Sequence, residues 1–138
     1  MKQTYILDKE HLDTIANDIV KSFTNGVIIL EGDLAAGKTT LVQAIAQALK
    51  SDDEVTSPTF SLQQCYANGL YHYDIYNHGI EHFIALGMLE ELEKDGLHCI
   101  EWGDETLKNL LQNVGIEYIH ITIKKLPNNK REYTLCTH

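Results

Sequence analysis

The segment Gly32–Thr39 constrains the fold of this chain more than any other stretch. It reads Gly-Asp-Leu-Ala-Ala-Gly-Lys-Thr and fits the pattern G-x-x-x-x-G-K-[ST], the phosphate-binding loop. The apolar run Val27–Leu30 precedes it, and the segment Thr40–Leu49, whose apolar residues recur at helical spacing, follows it. Strand, glycine-rich loop and helix are the context that the motif requires. The sequence therefore predicts a nucleotide-binding loop rather than a glycine-rich turn that caps an ordinary helix.

The residue types of this loop indicate how each part acts. Backbone N–H groups and the positive end of the following helix attract phosphate, and glycine permits the close approach. We expect Lys38 to reach the β- and γ-phosphates of the nucleotide and the Thr39 hydroxyl to ligate Mg²⁺. The nucleotide-binding residues predicted in this segment are Gly32, Asp33, Leu34, Ala35, Ala36, Gly37, Lys38, Thr39 and Thr40.

Composition limits the classes of partner. At 138 residues the chain is predicted to form one domain, 1–138, and its formal net charge of −9 disfavours direct, tight binding of nucleic acid. No apolar run approaches the length of a membrane span, and the N-terminus opens no signal peptide. Three cysteines without a C-x-x-C pair indicate reduced, mostly buried thiols in a cytoplasmic protein: Cys65, Cys99 and Cys136.

Apolar periodicity and turn residues predict the order of the elements. Strands are expected at 4–7, 27–30, 61–66, 70–76, 97–100, 116–123 and 131–136, and helices at 9–23, 40–49, 80–92 and 106–112. Asp8 is expected to cap the first helix, and Gly87 to break the third into two pieces. The predicted fold is α/β: a P-loop NTPase-like mixed β-sheet with helices on both faces and inserted antiparallel hairpins.

Acidic residues on two strands are candidates for the chemistry. Glu101 ends a short apolar strand, the position at which P-loop proteins hold magnesium. His72 and Asp74 share one face of another strand, and that face either belongs to the site or is the wet side of a hairpin. His78 and His82 stand four residues apart, but without a third ligand they indicate a solvated helix start rather than a metal site.

Several motifs in this order and spacing resemble the TsaE (YjeE) family, small bacterial P-loop ATPases needed for threonylcarbamoyladenosine formation in tRNA. The matching segments, which span nearly the whole chain, are Gly32–Thr40, Ser57–Phe60, His72–Tyr76 and Glu101-Trp102. The resemblance implies an ATPase that binds Mg²⁺ and ATP and acts on the TsaD–TsaB pair, which modifies the adenosine beside the anticodon. It also implies that tRNA is met only indirectly, through that complex.

The resemblance assigns roles to single positions. Lys38, Asp74 and Glu101 are expected to serve hydrolysis, with Thr39 and Glu101 on the metal and Asp74 either orienting the attacking water or contacting the metal's bound water. Exchanged roles for Asp74 and Glu101 stay open. Thr59 lies in a switch-like loop and is expected to sense the γ-phosphate, Trp102 to pack beside the site, and Arg131 to approach the nucleotide. The chain departs from the family pattern at two positions, Ala35 in place of glycine and Asn77 in place of arginine.

Three function classes remain open from the sequence. The first is the accessory ATPase, slow alone and stimulated by its partners. The second is a small-molecule kinase, although a chain with one arginine is poorly equipped to close an arginine-bearing lid. The third is a non-hydrolysing module in which ATP organises a docking surface, since hydrolysis without a stabilising charge from a partner is slow. A GTPase is disfavoured because no N-K-x-D-like segment is present.

Overall fold

The computed structural model describes residues 2–32, 37–50, 63–75, 81, 84, 87–102 and 105–137. These residues form a seven-stranded sheet with helices packed against it. The strands are β1 (Lys2–Asp8), β2 (Gly26–Glu31), β3 (Gln63–Tyr66), β4 (Leu70–Asp74), β5 (Leu97–Glu101), β6 (Tyr118–Lys125) and β7 (Lys130–Thr137). The helices are α1 (Asp13–Ser22), α2 (Lys38–Ala48), α3 (Met88–Glu91) and α4 (Glu105–Val114), with a 3₁₀ turn at Lys9–His11.

The strand order, β1-β7-β6-β2-β5-β4-β3, places β2 at the centre of the sheet. β2 runs parallel to both β5 and β6, and β5 runs parallel to β4, whereas β7, β1 and β3 pair antiparallel. Parallel strands that are covered on both faces have continuous apolar sequences, and Val27–Leu30 of β2 is such a run, with every residue buried. Because β2, β4 and β5 point the same way, their carboxyl ends meet at one edge, where ligands bind in such sheets.

Alternation along the strands divides the apolar side chains between two cores. One core joins Ile28 and Leu30 of β2 to α1 and α2, and the other joins Val27 and Ile29 to α3 and α4. The predicted mixed sheet with helices on both faces is confirmed. None of the helices in the described ranges is long and apolar enough to cross a bilayer.

Both predicted hairpins are confirmed, because their turn residues adopt the required backbone geometry. Asn68 and Gly69 connect β3 to β4 with φ values of 63° and 74°, the left-handed conformation of a tight hairpin turn. The Asn68 side chain also donates from Nδ2 to the Leu49 carbonyl oxygen over 2.8 Å, which ties this turn to the end of α2. Asn128 and Asn129, at 64° and 60°, turn the chain from β6 into β7.

Three expectations about single residues meet different outcomes. Asp8 was expected to cap a helix that opens at Lys9: it does hold the N-cap position, but of the 3₁₀ turn Lys9–His11, its side chain makes no capping hydrogen bond and contacts the His11 imidazole, and α1 begins only at Asp13. Gly87, with a φ of 76°, separates helical Ile84 from α3 and confirms the predicted break. All three thiols are free, but only Cys99 is buried, so the expectation of mostly buried thiols is wrong.

Candidate functional site

The start of α2 lies at the carboxyl edge of the parallel strands. Gly37 precedes the helix with a φ of 107°, which favours glycine because a Cβ would strain that conformation. Its carbonyl oxygen accepts the first backbone hydrogen bond of α2, from Leu41 N over 3.0 Å. This backbone path brings the side chains of Lys38 and Thr39 to the sheet edge.

Lys38 is a buried cation between the loop and the end of β5. Its side chain is folded inward, with the residue only 5% exposed. Nζ donates to the Gly32 carbonyl oxygen over 2.7 Å and lies 4.0 Å from the centroid of the Trp102 ring. Cation–π attraction to the indole and the charged hydrogen bond together hold the ammonium at the loop.

Trp102 reaches Lys38 through an unusual backbone conformation. Its φ of 69° is rare for a bulky residue, and strain of this kind persists only where the surroundings enforce it. One such restraint is the hydrogen bond from Trp102 N to the Leu30 carbonyl oxygen, 3.3 Å long, which extends the pairing of β5 with β2. The Trp102 ring therefore packs against the Lys38 ammonium.

Glu101 gathers three elements around one carboxylate. The residue is 4% exposed at the last position of β5. Its Oε2 accepts a hydrogen bond from Thr39 Oγ1 of α2, 2.9 Å long, and is also contacted by Nε2 of His72 from β4. The Glu101 carboxylate and the Thr39 hydroxyl therefore lie side by side. Both are oxygen ligands of the kind that Mg²⁺ prefers.

Asp74 lies next to Glu101 at the carboxyl edge. The two residues are register partners on parallel β4 and β5, and Asp74 is 9% exposed. His72, on the same face of β4, is completely buried. The alternative that this face is the wet side of a hairpin is therefore wrong, because the core that contains α2 packs on this face.

Arg131, at the start of β7, reaches the start of α2 although β7 lies two strands away from β2. A Cβ built on Gly37 would lie 3.8 Å from Arg131 Nε, so the guanidinium stands at the start of α2 although ninety-four positions separate the two residues. The same arginine lines a cavity of about 460 Å³ together with Asp8, Glu10, Asn128 and Asn129. The sequence alone does not show that Asp8 and Glu10 lie near Arg131, because the pairing of β1 with β7 brings them together.

A second polar network lies on the opposite face of the sheet. Tyr73 OH donates to His98 Nδ1 over 2.8 Å, and His98 Nε2 donates to the Lys94 carbonyl oxygen over the same distance. Gln63 Nε2 donates to both Tyr73 OH and the Glu91 carboxylate, at 3.1 and 3.2 Å. Burial lowers the pKa of His98 and raises that of the Tyr73 phenol, so both remain neutral at pH 7. The network fastens β3, β4 and the segment after α3, away from Glu101.

The predicted residues fall into three groups. Gly32, Gly37, Lys38, Thr39, Asp74, Glu101, Trp102 and Arg131 lie around the start of α2. Thr40 instead borders a separate cavity of about 170 Å³ between α1 and α2, with Glu10 and Gln43 among its walls. The remaining predicted positions lie outside the described residues: Asp33, Leu34, Ala35, Ala36, Thr59, Asn77, His78 and His82.

The donor set of the site fits a hard cation held jointly with a phosphate. Within the described ranges no three His, Cys, Asp or Glu side chains are grouped to hold a metal by themselves. Thr39 and Glu101 can supply two oxygen ligands, which suits Mg²⁺, since this ion keeps several waters and usually shares phosphate oxygens.

Comparison with known proteins gives one family. The family model "Threonylcarbamoyl adenosine biosynthesis protein TsaE" matches residues 6–133. The tRNA threonylcarbamoyladenosine biosynthesis protein TsaE of Treponema pallidum is 36% identical over 112 residues, which cover 79% of this chain and 80% of the relative. The protein of the same name from Bacillus subtilis is 37% identical over 111 residues, covering 78% and 67%. The crystal structure of Bacillus subtilis YdiB superposes with a TM-score of 0.74 at 28% identity, covering 99% of this chain and 86% of that one.

Proposed function

The chain belongs to the TsaE family of tRNA threonylcarbamoyladenosine biosynthesis, and we propose that it serves this modification as an ATP-binding and ATP-hydrolysing accessory protein. The observation that carries the proposal is the meeting of Lys38, Thr39 and Glu101 at the start of α2. An ammonium, a hydroxyl and a carboxylate at a helix N-terminus are the groups that a P-loop NTPase requires. The P-loop NTPase-like character of the fold is part of this proposal.

Lys38 and the backbone of the loop bind the phosphates in this proposal. In the structure the ammonium donates to a carbonyl oxygen of the loop, and a phosphate oxygen is the stronger acceptor because it is charged. We expect Lys38 to exchange the Gly32 carbonyl for the phosphate chain of ATP while the Trp102 ring shields its other side. The left-handed Gly37 leaves room for the close approach that this exchange needs.

Thr39 and Glu101 would hold Mg²⁺, and the donor set fits it. When bound, the ion neutralises charge that develops on the phosphates during transfer. The contact between Thr39 and Glu101 favours Glu101 over Asp74 as the metal-side carboxylate, since the hydroxyl already faces Glu101. To Asp74, the register partner of Glu101 on β4, we assign either the orientation of the attacking water or a contact to water bound on the metal. A γ-phosphate contact by Thr59 remains a prediction from the sequence.

The cavity beside Arg131 is the place that we assign to the nucleoside. It adjoins Gly37 through the guanidinium, and its volume of about 460 Å³ lies within the usual range for ligand sites, about 300–1,000 Å³. Arg131 can contact the α- and β-phosphates from this side, and the carboxylates of Asp8 and Glu10 can accept hydrogen bonds from sugar hydroxyls.

Titration calorimetry tests the nucleotide site directly. Mg-ATP should bind the intact chain, and Lys38→Ala should weaken binding by at least about tenfold because a charge-assisted contact is lost. Lys21→Ala, which removes an exposed lysine at the end of α1, is the matched control and should bind as the parent does. Glu101→Ala should abolish Mg²⁺-dependent hydrolysis while metal-free nucleotide binding persists. Absence of heat with millimolar Mg-ATP would refute the proposal.

The partner assignment needs a separate experiment. We propose the cytoplasmic TsaD–TsaB pair as the partner, because the family acts in the modification of tRNA and this chain carries a single arginine for transition-state charge. Hydrolysis should be slow alone and rise when TsaD and TsaB are added. Binding to the pair with no hydrolysis would favour the docking module, whereas ATP use that rises with a small acceptor and yields its phosphate ester would favour a kinase.

A further inference from the structure

His72 lies in the middle of β4, on the sheet face that α2 covers. Leu70, two residues before it on the same face, belongs to the core that includes Leu41 of α2. The His72 side chain is completely buried, and its Nε2 contacts Oε2 of Glu101. The same oxygen accepts the hydrogen bond from Thr39 Oγ1, so β4, β5 and α2 converge on one atom.

The partners assign the hydrogens of this cluster. A carboxylate oxygen accepts hydrogen bonds but donates none, so the hydrogen of the His72 contact is on Nε2. Thr39 gives its one hydroxyl hydrogen to the same oxygen, and both lone pairs of that hydroxyl remain available. Two donors on Oε2 restrict rotation of the carboxylate group and thereby fix the direction of its other oxygen, Oε1.

The other ring nitrogen of His72 separates this residue from a structural histidine. Nδ1 is buried and has no hydrogen-bond partner in the structure as described, and burying such an atom costs free energy that an apolar side chain would avoid. His98, the other completely buried histidine in the described ranges, has partners on both nitrogens. A purely structural role therefore accounts for His98, whose two nitrogens are both hydrogen-bonded, but not for His72.

We propose that His72 is a positioning residue for the metal site, and this inference rests on the proposed function. Its Nε2–H holds the Glu101 carboxylate in the orientation in which Glu101 and the Thr39 hydroxyl would bind Mg²⁺ together. Groups that orient metal ligands from behind typically contribute about 10- to 100-fold in metal affinity or activity. His72 itself touches neither nucleotide nor metal.

Three substitutions separate the hydrogen bond from the packing. His72→Leu removes the donor, His72→Gln places an amide N–H near the position of Nε2, and His72→Asn places one near Nδ1, which has no partner. We expect the Mg²⁺ concentration that half-maximally tightens ATP binding to rise about tenfold in His72→Leu and His72→Asn. In His72→Gln it should stay within about threefold of the parent. ATP affinity in EDTA, which reports the metal-free site, should stay within about twofold in all three.

The control is His98→Gln on the opposite face of the sheet, which should lower the thermal midpoint without moving the Mg²⁺ requirement. An unchanged Mg²⁺ requirement in both His72→Leu and His72→Asn would overturn the positioning role. Should His72→Leu fail to fold, equal requirements in His72→Gln and His72→Asn would do the same. A parent chain whose ATP binding ignores Mg²⁺, or that binds no ATP, would instead overturn the proposed function itself.

Discussion

Gly96 shows how a single missing Cβ sets the spacing of strands. It has a φ of 124°, and a Cβ placed on it would lie 2.2 Å from the Gly69 carbonyl oxygen. That oxygen accepts the hydrogen bond from Leu97 N at 2.8 Å, and the Gly96 carbonyl accepts one from Gly26 N at 3.0 Å. The β3–β4 turn and the starts of β2 and β5 therefore meet at this one residue.

Gly96→Ala should lower the free energy of unfolding by about 3 kcal/mol, since a backbone clash adds to the strain of a positive φ. Gly115→Ala is the matched control, because Gly115 also has a positive φ, 77°, but a Cβ there meets no atom within 4 Å. It should cost about 1–2 kcal/mol. Urea denaturation of the two variants measures the difference, and equal losses would contradict the close approach at Gly96.

At the scale of elements, Asn68 links a hairpin to a helix. Asn68→Asp keeps a residue that tolerates the left-handed turn, but it replaces the donor to the Leu49 carbonyl by a negative charge at the carboxyl end of α2. We expect a loss of about 1–2 kcal/mol in thermal or urea unfolding. Asn129→Asp, in the left-handed turn between β6 and β7, should cost less. A larger loss at Asn129 would show that the link to α2 contributes little.

The hydrogen-bond network around His98, which holds β3 and β4, makes the stability of the fold depend on pH. Burial lowers the pKa of His98 in the folded state, so the unfolded chain binds a proton first as pH falls below about 6.5. The stability that neutral His98 contributes is present above that pH and is lost progressively below it. Glu91, Lys94 and Tyr73 surround the ring, and none of them titrates between pH 5 and 7.

His98→Gln should therefore be less stable than the parent at pH 7.5 and show a smaller loss between pH 7 and 5. The parent should lose at most about 1.4 kcal/mol per pH unit through this group. Urea unfolding at several pH values measures both slopes in the same background, so that the opposite contribution of His11, whose pKa is raised beside Asp8, cancels. Identical slopes would exclude His98 as the titrating group.

For the whole molecule, ligand binding should stabilise the fold because the site exists only when α2, β4, β5 and β7 are assembled. Mg-ATP at about a hundred times its dissociation constant adds about 2.7 kcal/mol to the free energy of unfolding. For a chain of this size that raises the thermal midpoint by on the order of 10 °C. At the same Mg-ATP concentration Lys38→Ala should reduce the shift in a calorimetric scan to about half or less, and Lys21→Ala should retain it in full.

Local sequence determined the elements and the loop that organises them. Apolar runs of strand length, helical periodicity and the turn residues Asn68-Gly69 and Pro127-Asn128-Asn129 predicted the strands and both hairpins, because backbone geometry and burial depend on neighbouring residues. The spaced motifs also predicted the family. The end of the apolar strand Leu97–Ile100 predicted Glu101 as a candidate carboxylate, and the structure places this residue beside Thr39.

Only the tertiary structure decided which side chains meet. His72 could equally have been solvated, since alternation along one strand does not show whether a helix packs on that face. The contact of Glu101 with Thr39, the approach of Arg131 to Gly37 and the cavity shared with Asp8 join residues far apart in the chain. These contacts follow from strand order and register, which depend on the packing of the whole sheet and not on any short stretch of sequence.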